Sequence, residues 1–323
     1  MQDIENSSKI KNLKALLLNY VSEIDGVLDE NTALNIENQK LKSELISARR
    51  HLTELLEEKK DSWWQGDPDG FLNYKGYSVP VDLILMTGGG PSSFQAVSDF
   101  HIGNLQKWIG IESDHNVVEV GCGVGRDAVP LTDIIRLGSY IGIDIIGRSI
   151  EWCSKNITPR HENFKFCHFD VDDQIHNPSG KTKTVDIRIE AGNNKIDRIF
   201  LFSVFTHLFE NDIRHYLLEF SRVLKAGGLV YATTFIYNDD ILASARASNL
   251  TPFDLRFEHE ISPGCRINDL DNPLGAVAFT PEVWHRMIEG TGLRLRGPML
   301  KGSWSGFYDQ ADDGQDVAIL EKI

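Results

Sequence analysis

In the stretch NVVEVGCGVGRDAVPL, residues 116–131, Glu119 stands two residues ahead of Gly121, and Gly123 and Gly125 follow at alternate positions. Glycine admits left-handed backbone and lets a chain run close under a ligand. The next apolar run, SYIGID, ends on Asp144, and a carboxylate at the end of a second strand accepts hydrogen bonds from both hydroxyls of a ribose. The spacing is G-x-G-x-G. The third glycine of the dinucleotide pattern G-x-G-x-x-G is replaced by Arg126, which disfavours a pyrophosphate ligand, and no G-K-[ST] follows to make a P-loop.

These residues need a strand, a turn and a helix to position them. VVEV reads as a short buried strand, GCGVG as the turn, and RDAVPLTDIIRLG as a helix ending at Gly138 with Pro130 tolerated in its first turns. With SYIGID as the next strand this is a βαβ unit. Further on, KIDRIFLFS reads as a strand, and NDIRHYLLEFSRVL places Ile213, Tyr216, Leu217, Phe220, Val223 and Leu224 at helical spacing, with Gly227 or Gly228 in KAGG as its left-handed stop. LVYATTFI is a strand, and TPEVWHRMIEG is a helix with Thr280 as N-cap, Pro281 at N1 and Gly290 at its end. LRLRGPML and QDVAILEKI read as a closing hairpin. Two segments are insertions, near 176–195, read as a small hairpin, and near 237–279, read as a lid or recognition element.

The segments EVGCGVGRDAVPL, YIGIDI, FKFCHFDVDD, IDRIFLFSVFTHL and YLLEFSRVLKAGGLVYATTF together resemble the motifs of class I S-adenosylmethionine-dependent methyltransferases over roughly Trp108 to Ile323. The resemblance implies an α/β, Rossmann-like seven-stranded sheet, with S-adenosylmethionine as cofactor. It implies cofactor contacts from Glu119, Gly121, Gly123, Gly125, Arg126, Asp144, Ile145, Asp170, Val171 and Ser203. Asp144 would be the ribose ligand and Asp170 the adenine ligand, while Glu119 would brace the loop or reach the cofactor ammonium through water. LMTGGGPSSFQAVSDFHIGNL, which precedes the fold, would cover the methionine end of the cofactor, with a plain linker as the alternative.

Methyl transfer from a sulfonium is an in-line displacement, and a hydroxyl acceptor needs somewhere to send its proton. His207, just past the fourth strand, is the candidate catalytic base; the alternative is a histidine that hydrogen-bonds a neighbouring loop or only positions substrate. Asp170, Asp172 and Asp173 are clustered but read as a solvated loop face, so no metal is expected. Trp152 reads as core. Trp304, Phe307 and Tyr308 either stack on a sugar or plug the core. The whole arrangement resembles bacterial methyltransferases of surface-polysaccharide and glycan gene clusters, some of which cap growing chains. Sugar O-methylation is the expectation. Open alternatives are a small-metabolite or protein acceptor, a coiled-coil scaffold with a cofactor-binding relic, and an NAD-linked oxidoreductase, which the glycine spacing disfavours.

Ahead of residue 61, with Ile10 at position a, every a and d position through Leu55 is apolar except Asn31 and Asn38, both at a. This is a coiled-coil pattern in one register, with a long amphipathic helix packing back on its own domain as the alternative, and a-position asparagine favours parallel pairing. Glu37 with Lys42 and Glu44 with Arg49 fit g–e′ pairs. Leu16, Val21, Leu28 and Leu56 widen the stripe, so a homodimer is favoured and a trimer left open. The expected organisation is a coiled coil over 1–60, a linker and cover over 61–110, and the methyltransferase domain over 111–323. The expected partners are a second copy, a glycan acceptor and a glycosyltransferase. The net charge of −14 disfavours binding to nucleic-acid phosphates. The 4 cysteines lack C-x-x-C spacing and read as buried thiols in a reducing compartment. The absence of an 18-residue apolar run or a signal-peptide pattern points to the cytoplasm.

Overall fold

The computed structural model describes residues 70–323 except 172–176, 178–179 and 252, within a compact unit spanning Asp67–Ile323. The heptads, Asp172 and Asp173 lie outside the described residues.

A short hairpin opens the described chain, β1 (Phe71–Tyr74) and β2 (Tyr77–Pro80), followed by a single turn, α1 (Val81–Ile84), and the helix α2 (Phe94–Trp108). The sheet then builds as β3 (Asn116–Val120), α3 (Ala128–Ile134), β4 (Ser139–Asp144), α4 (Gly147–Asn156), β5 (Phe164–His168), β6 (Ile196–Leu201), α5 (Glu210–Val223) and β7 (Leu224–Ile236). The order across the sheet is β5-β4-β3-β6-β7, all parallel. The chain therefore reverses its direction of travel across the sheet between β3 and β6, and the crevice at the carboxyl ends of those strands is where an open α/β sheet binds its ligand. The β3 strand is buried on both faces, hence its run of Val117, Val118 and Val120.

After β7 come α6 (Asp239–Ser248), β8 (His259–Ser262), β9 (Cys265–Ile267), β10 (Val277–Phe279), α7 (Pro281–Ile288), β11 (Leu293–Leu295) and β12 (Asp316–Lys322). The β12 strand runs antiparallel to β7 over Leu229–Thr234 and carries β11 on its other side, as the closing pair requires. The expected seven strands become ten because the insertion adds β10, β9 and β8 where β7 outruns β12: Phe235 and Ile236 pair in parallel with Ala278 and Phe279.

Apolar layers cover both faces. On one, Val118, Val120 and Ile199 meet the α5 stripe of Ile213, Leu217 and Phe220 and, from α7, Val283, Trp284 and Met287. On the other, Val117, Tyr140, Phe200 and Tyr231 meet Tyr74, Phe94 and Leu105 from the N-terminal elements. A smaller cluster joins Phe235, Ile241, Leu242 and Phe257 of the insertion to Trp304. Trp304 is thus a core plug and not a sugar platform, its indole donating to Asp316 at 2.7 Å. Trp152 packs against Tyr77, as read from sequence.

Several boundaries differ from the sequence reading. The α3 helix stops at Ile134, well before Gly138, because Ile135 turns extended. Gly227 is left-handed (φ 73°), yet it lies in the irregular start of β7, where the register against β6 shifts, and α5 already ends at Val223. LRLRGPML pairs regularly only over Leu293–Leu295, followed by one bridge from Leu300 to Val317. Among the described residues of 176–195 there is no hairpin but a 3-10 turn at Thr184–Asp186 and a bridge from Thr182 to Val171.

Candidate active site

The glycine loop connects β3 to α3 with Gly121, Gly123 and Gly125 all at positive φ (81°, 52° and 78°). A β-carbon on Gly121 would lie 2.6 Å from Val204 Cγ2, and one on Gly123 would lie 2.5 Å from Thr87 Cγ2. Both side-chain volume and backbone strain therefore forbid other residues there. The amides of Gly121 and Cys122 donate to the Ile143 carbonyl at 2.7 and 3.0 Å, tying the loop to the end of β4.

Asp144, buried at that end, accepts from the Gly123 amide at 2.6 Å and from the Ile146 amide at 2.8 Å, one on each carboxylate oxygen. It fixes the loop through these two bonds. Phe169 donates its amide to the Asp144 carbonyl at 2.9 Å, which brings Asp170 and Val171 to the same strand ends. Asp170 accepts from Asn177 Nδ2 at 3.1 Å, and Val171 is buried in the sheet's apolar layer. Ile145 is half-buried and its carbonyl contacts His168 Nε2 at 3.0 Å.

Glu119 projects from β3 beneath the loop, 3 % exposed, and its carboxylate accepts from the Tyr140 hydroxyl of β4. Burial first, then the charge of Asp127, pushes the Glu119 carboxyl well above the ordinary carboxylate range. This bond joins Glu119 on β3 to Tyr140 on β4. Arg126 turns outward from the loop: its Nη1 donates to the carbonyls of Thr87 at 3.3 Å and Gly88 at 3.0 Å. It clamps the glycine-rich segment, and Thr87 closes over Gly123.

Across the crevice, Ser203 is exposed and left-handed (φ 57°), a strained conformation for a residue with a side chain. Its amide donates to Thr233 Oγ1 at 2.7 Å and its hydroxyl to Gln315 Oε1 at 3.2 Å. His207 closes the 3-10 turn Phe205–His207, with Nδ1 at 2.8 Å from the Leu274 carbonyl. A carbonyl only accepts, so Nδ1 carries the proton and Nε2 is the basic nitrogen of the neutral ring.

Sequence reasoning missed the pair of His101, on α2, and Asp127. Nδ1 lies 2.7 Å from Asp127 Oδ2, and the imidazole stacks on Phe202 at 3.6 Å between ring centres and 4° between planes. The only signal was Asp127 itself, directly after the glycine loop in an N-cap position whose capping bond its side chain does not make.

This set fits a cationic adenosyl cofactor. Gly121 and Ser203 are exposed beyond the ends of β3 and β6, the glycine loop runs without side chains between them, and Asp127 and Asp144 place buried carboxyl groups beside it. Such a cofactor supplies an electrophilic methyl group on sulfur.

Residues 118–232 match a family described as a methyltransferase domain. The fold is similar to YcgJ from Bacillus subtilis, with 16% identity over 66% of this chain and 79% of that one and a TM-score of 0.40. It is also similar to a Haemonchus contortus phosphoethanolamine N-methyltransferase 1 solved with phosphoethanolamine and S-adenosylhomocysteine (13%, 71% and 43%, TM-score 0.46). A third such structure is an S-adenosylmethionine-dependent methyltransferase from Aquifex aeolicus (15%, 73% and 99%, TM-score 0.43). Among the described residues no helix is long and apolar enough to cross a membrane. With the domain match set beside the glycine cradle and the carboxylate ending β4, the protein is a methyltransferase enzyme whose cofactor is S-adenosylmethionine.

Proposed function

We propose that the acceptor is a hydroxyl, on a sugar of a bacterial surface polysaccharide or related glycan, with His207 as the base that takes its proton. The observation carrying this reading is the bond from His207 Nδ1 to the Leu274 carbonyl. It makes Nδ1 the donor of that bond and ties the candidate base to the insertion, the segment this reading gives to the acceptor. A hydroxyl requires such a base during transfer, whereas an amine arriving neutral does not. The sugar class rests on the resemblance of the IEWCSKNITPRHENFKF and FTHL…YLLEFSRVLKAGG…TTF segments to glycan-cluster methyltransferases.

In this reading the glycine loop and Asp144 hold the cofactor, Ser203 lines the crevice, and the insertion places the hydroxyl in line with the methyl group. The heptads of residues 10–55 assemble the enzyme as a parallel oligomer, a dimer in preference to a trimer, and set its distance from a glycosyltransferase partner in the cytoplasm. The test is transfer of a labelled methyl group to purified glycan oligosaccharides. Incorporation that is alkali-stable and maps to one hydroxyl supports the reading. Silence toward every sugar acceptor, with methylation of an amine or carboxylate substrate, overturns it.

A further inference from the structure

We propose that Asp127, oriented by His101, is the residue that holds the α-ammonium group of the cofactor, in place of Glu119. The inference deepens the cofactor assignment and rests on it.

Three observations carry it. Asp127 is 3 % exposed, and while Oδ2 accepts from His101, Oδ1 has no hydrogen-bond partner. Buried carboxylate oxygens without donors are costly, and a charged donor from a ligand answers that cost. The pair also stands at the right place. Asp127 lies two residues past Gly125, and its histidine partner stacks on Phe202, the residue that follows β6. The two residues therefore bridge the β3–β6 crevice, where the sheet reverses. Finally, one oxygen of Glu119, the acid that could have reached the ammonium through water, already accepts from Tyr140. Burial, with the charge of Asp127 as a lesser cause, raises the Glu119 carboxyl.

His101 is a positioning residue. Its ring stacks on Phe202 and engages Oδ2, which leaves Oδ1 as the carboxylate oxygen without a partner. An aspartate serving only as an N-cap would instead bond a backbone amide in the first turn of α3, and Asp127 makes no such bond.

The experiment is calorimetric titration of the full chain with two ligands, S-adenosylhomocysteine and its α-deamino analogue, which keeps the carboxylate and lacks the amine. The wild type is expected to prefer S-adenosylhomocysteine by at least about tenfold, the size of a charge-assisted hydrogen bond. In Asp127→Asn the preference is expected to fall to about twofold or less, through loss of affinity for S-adenosylhomocysteine alone. In Glu119→Gln the preference is expected to persist, a comparison that stands even if Asp127→Asn does not fold. The proposal is overturned if the wild type does not discriminate, if Asp127→Asn keeps the preference, or if Glu119→Gln abolishes it. A wild-type chain that binds neither ligand removes the cofactor assignment itself, an outcome separable from the other three.

Discussion

The glycine loop and the insertion after β7 border the same end of the sheet, yet they are built differently. The loop is held by backbone: three glycines at positive φ, amides bonded to Ile143, and a carboxylate, Asp144, closing Gly123 and Ile146. The insertion is held largely by side chains reaching carbonyls and amides. Arg246 donates to the carbonyls of Arg256 and Phe257, Arg266 to those of Phe257 and Glu258, and Asn268 Oδ1 accepts from the amides of Arg256 and Phe257. It leaves Leu250, Phe253 and Leu270 exposed, where the loop leaves buried acids. A cofactor of fixed shape rewards a rigid backbone cradle.

The largest effect should come from His207, the candidate base tied to the insertion. His207→Gln is expected to lower kcat by about 10²- to 10⁴-fold, as loss of a general base does, while the Kd for S-adenosylhomocysteine stays within about twofold. A rate change below about tenfold would make His207 a mere tie between the turn and Leu274, and the base would have to be sought elsewhere. Next is Gly123→Val, which meets Thr87 and strains the backbone together. A cofactor affinity lower by at least about a hundredfold is expected, read by calorimetry beside circular dichroism to confirm folding. Retained affinity would show that the loop can yield, and the contrast with the insertion would dissolve.

What could be read from residue order divides along the same line. Gly121, Gly123, Gly125 and Asp144 are legible because a tight turn between strand and helix restricts residue type locally. Amphipathic α5 is legible because its apolar stripe repeats over fourteen residues. The strands β8, β9 and β10 are three or four residues long in a polar segment and give no periodicity to read. Glu119 was visible as an acid, but its partner Tyr140 depends on β4 lying beside β3 with Gly142 opposite Glu119. His101 and Asp127 are joined across 26 residues by tertiary packing, so neither announces the other. Trp304 reads as a loop aromatic until the insertion's own core is seen around it.

A smaller effect tests how that core is tied down. Asp316 accepts from the Ile236 and Gly302 amides and from Trp304, joining β7 to the C-terminal loop whose Trp304 packs into the insertion's core. Asp316→Asn presents amide hydrogens to donors, and a fall in Tm on the order of 5 °C is expected from the buried mismatch. Burial outweighs the hydrogen bonds and pushes the Asp316 carboxyl up to about 6. A raised acid pKa means that the folded state binds more protons than the unfolded state between about pH 4 and about pH 6. The contribution of this group to stability therefore falls as pH rises through that window and levels off above it. Wild type minus Asp316→Asn should show that slope in Tm against pH. A flat difference would mean the carboxylate is ionised throughout, its three donors outweighing burial.

The smallest effect concerns the cover of the cradle. Arg126 donates from one guanidinium nitrogen to the neutral carbonyls of Thr87 and Gly88, while its buried Nε has no partner. Bonds to neutral acceptors at a partly exposed site are worth about 1 kcal/mol, or roughly fivefold in affinity. The segment they hold contains Gly88 and Gly89, both left-handed, so it changes conformation at little cost once released. Arg126→Leu should therefore raise the dissociation rate of S-adenosylhomocysteine by about fivefold and leave its association rate nearly unchanged, since the cradle itself is intact. Stopped-flow displacement separates the two rates. The acceptor KM should not move, because the clamp touches only the cofactor side. A changed acceptor KM with an unchanged cofactor off-rate would place the glycine-rich segment in the acceptor region, and the division drawn between the two halves of the crevice would have to be redrawn through Thr87.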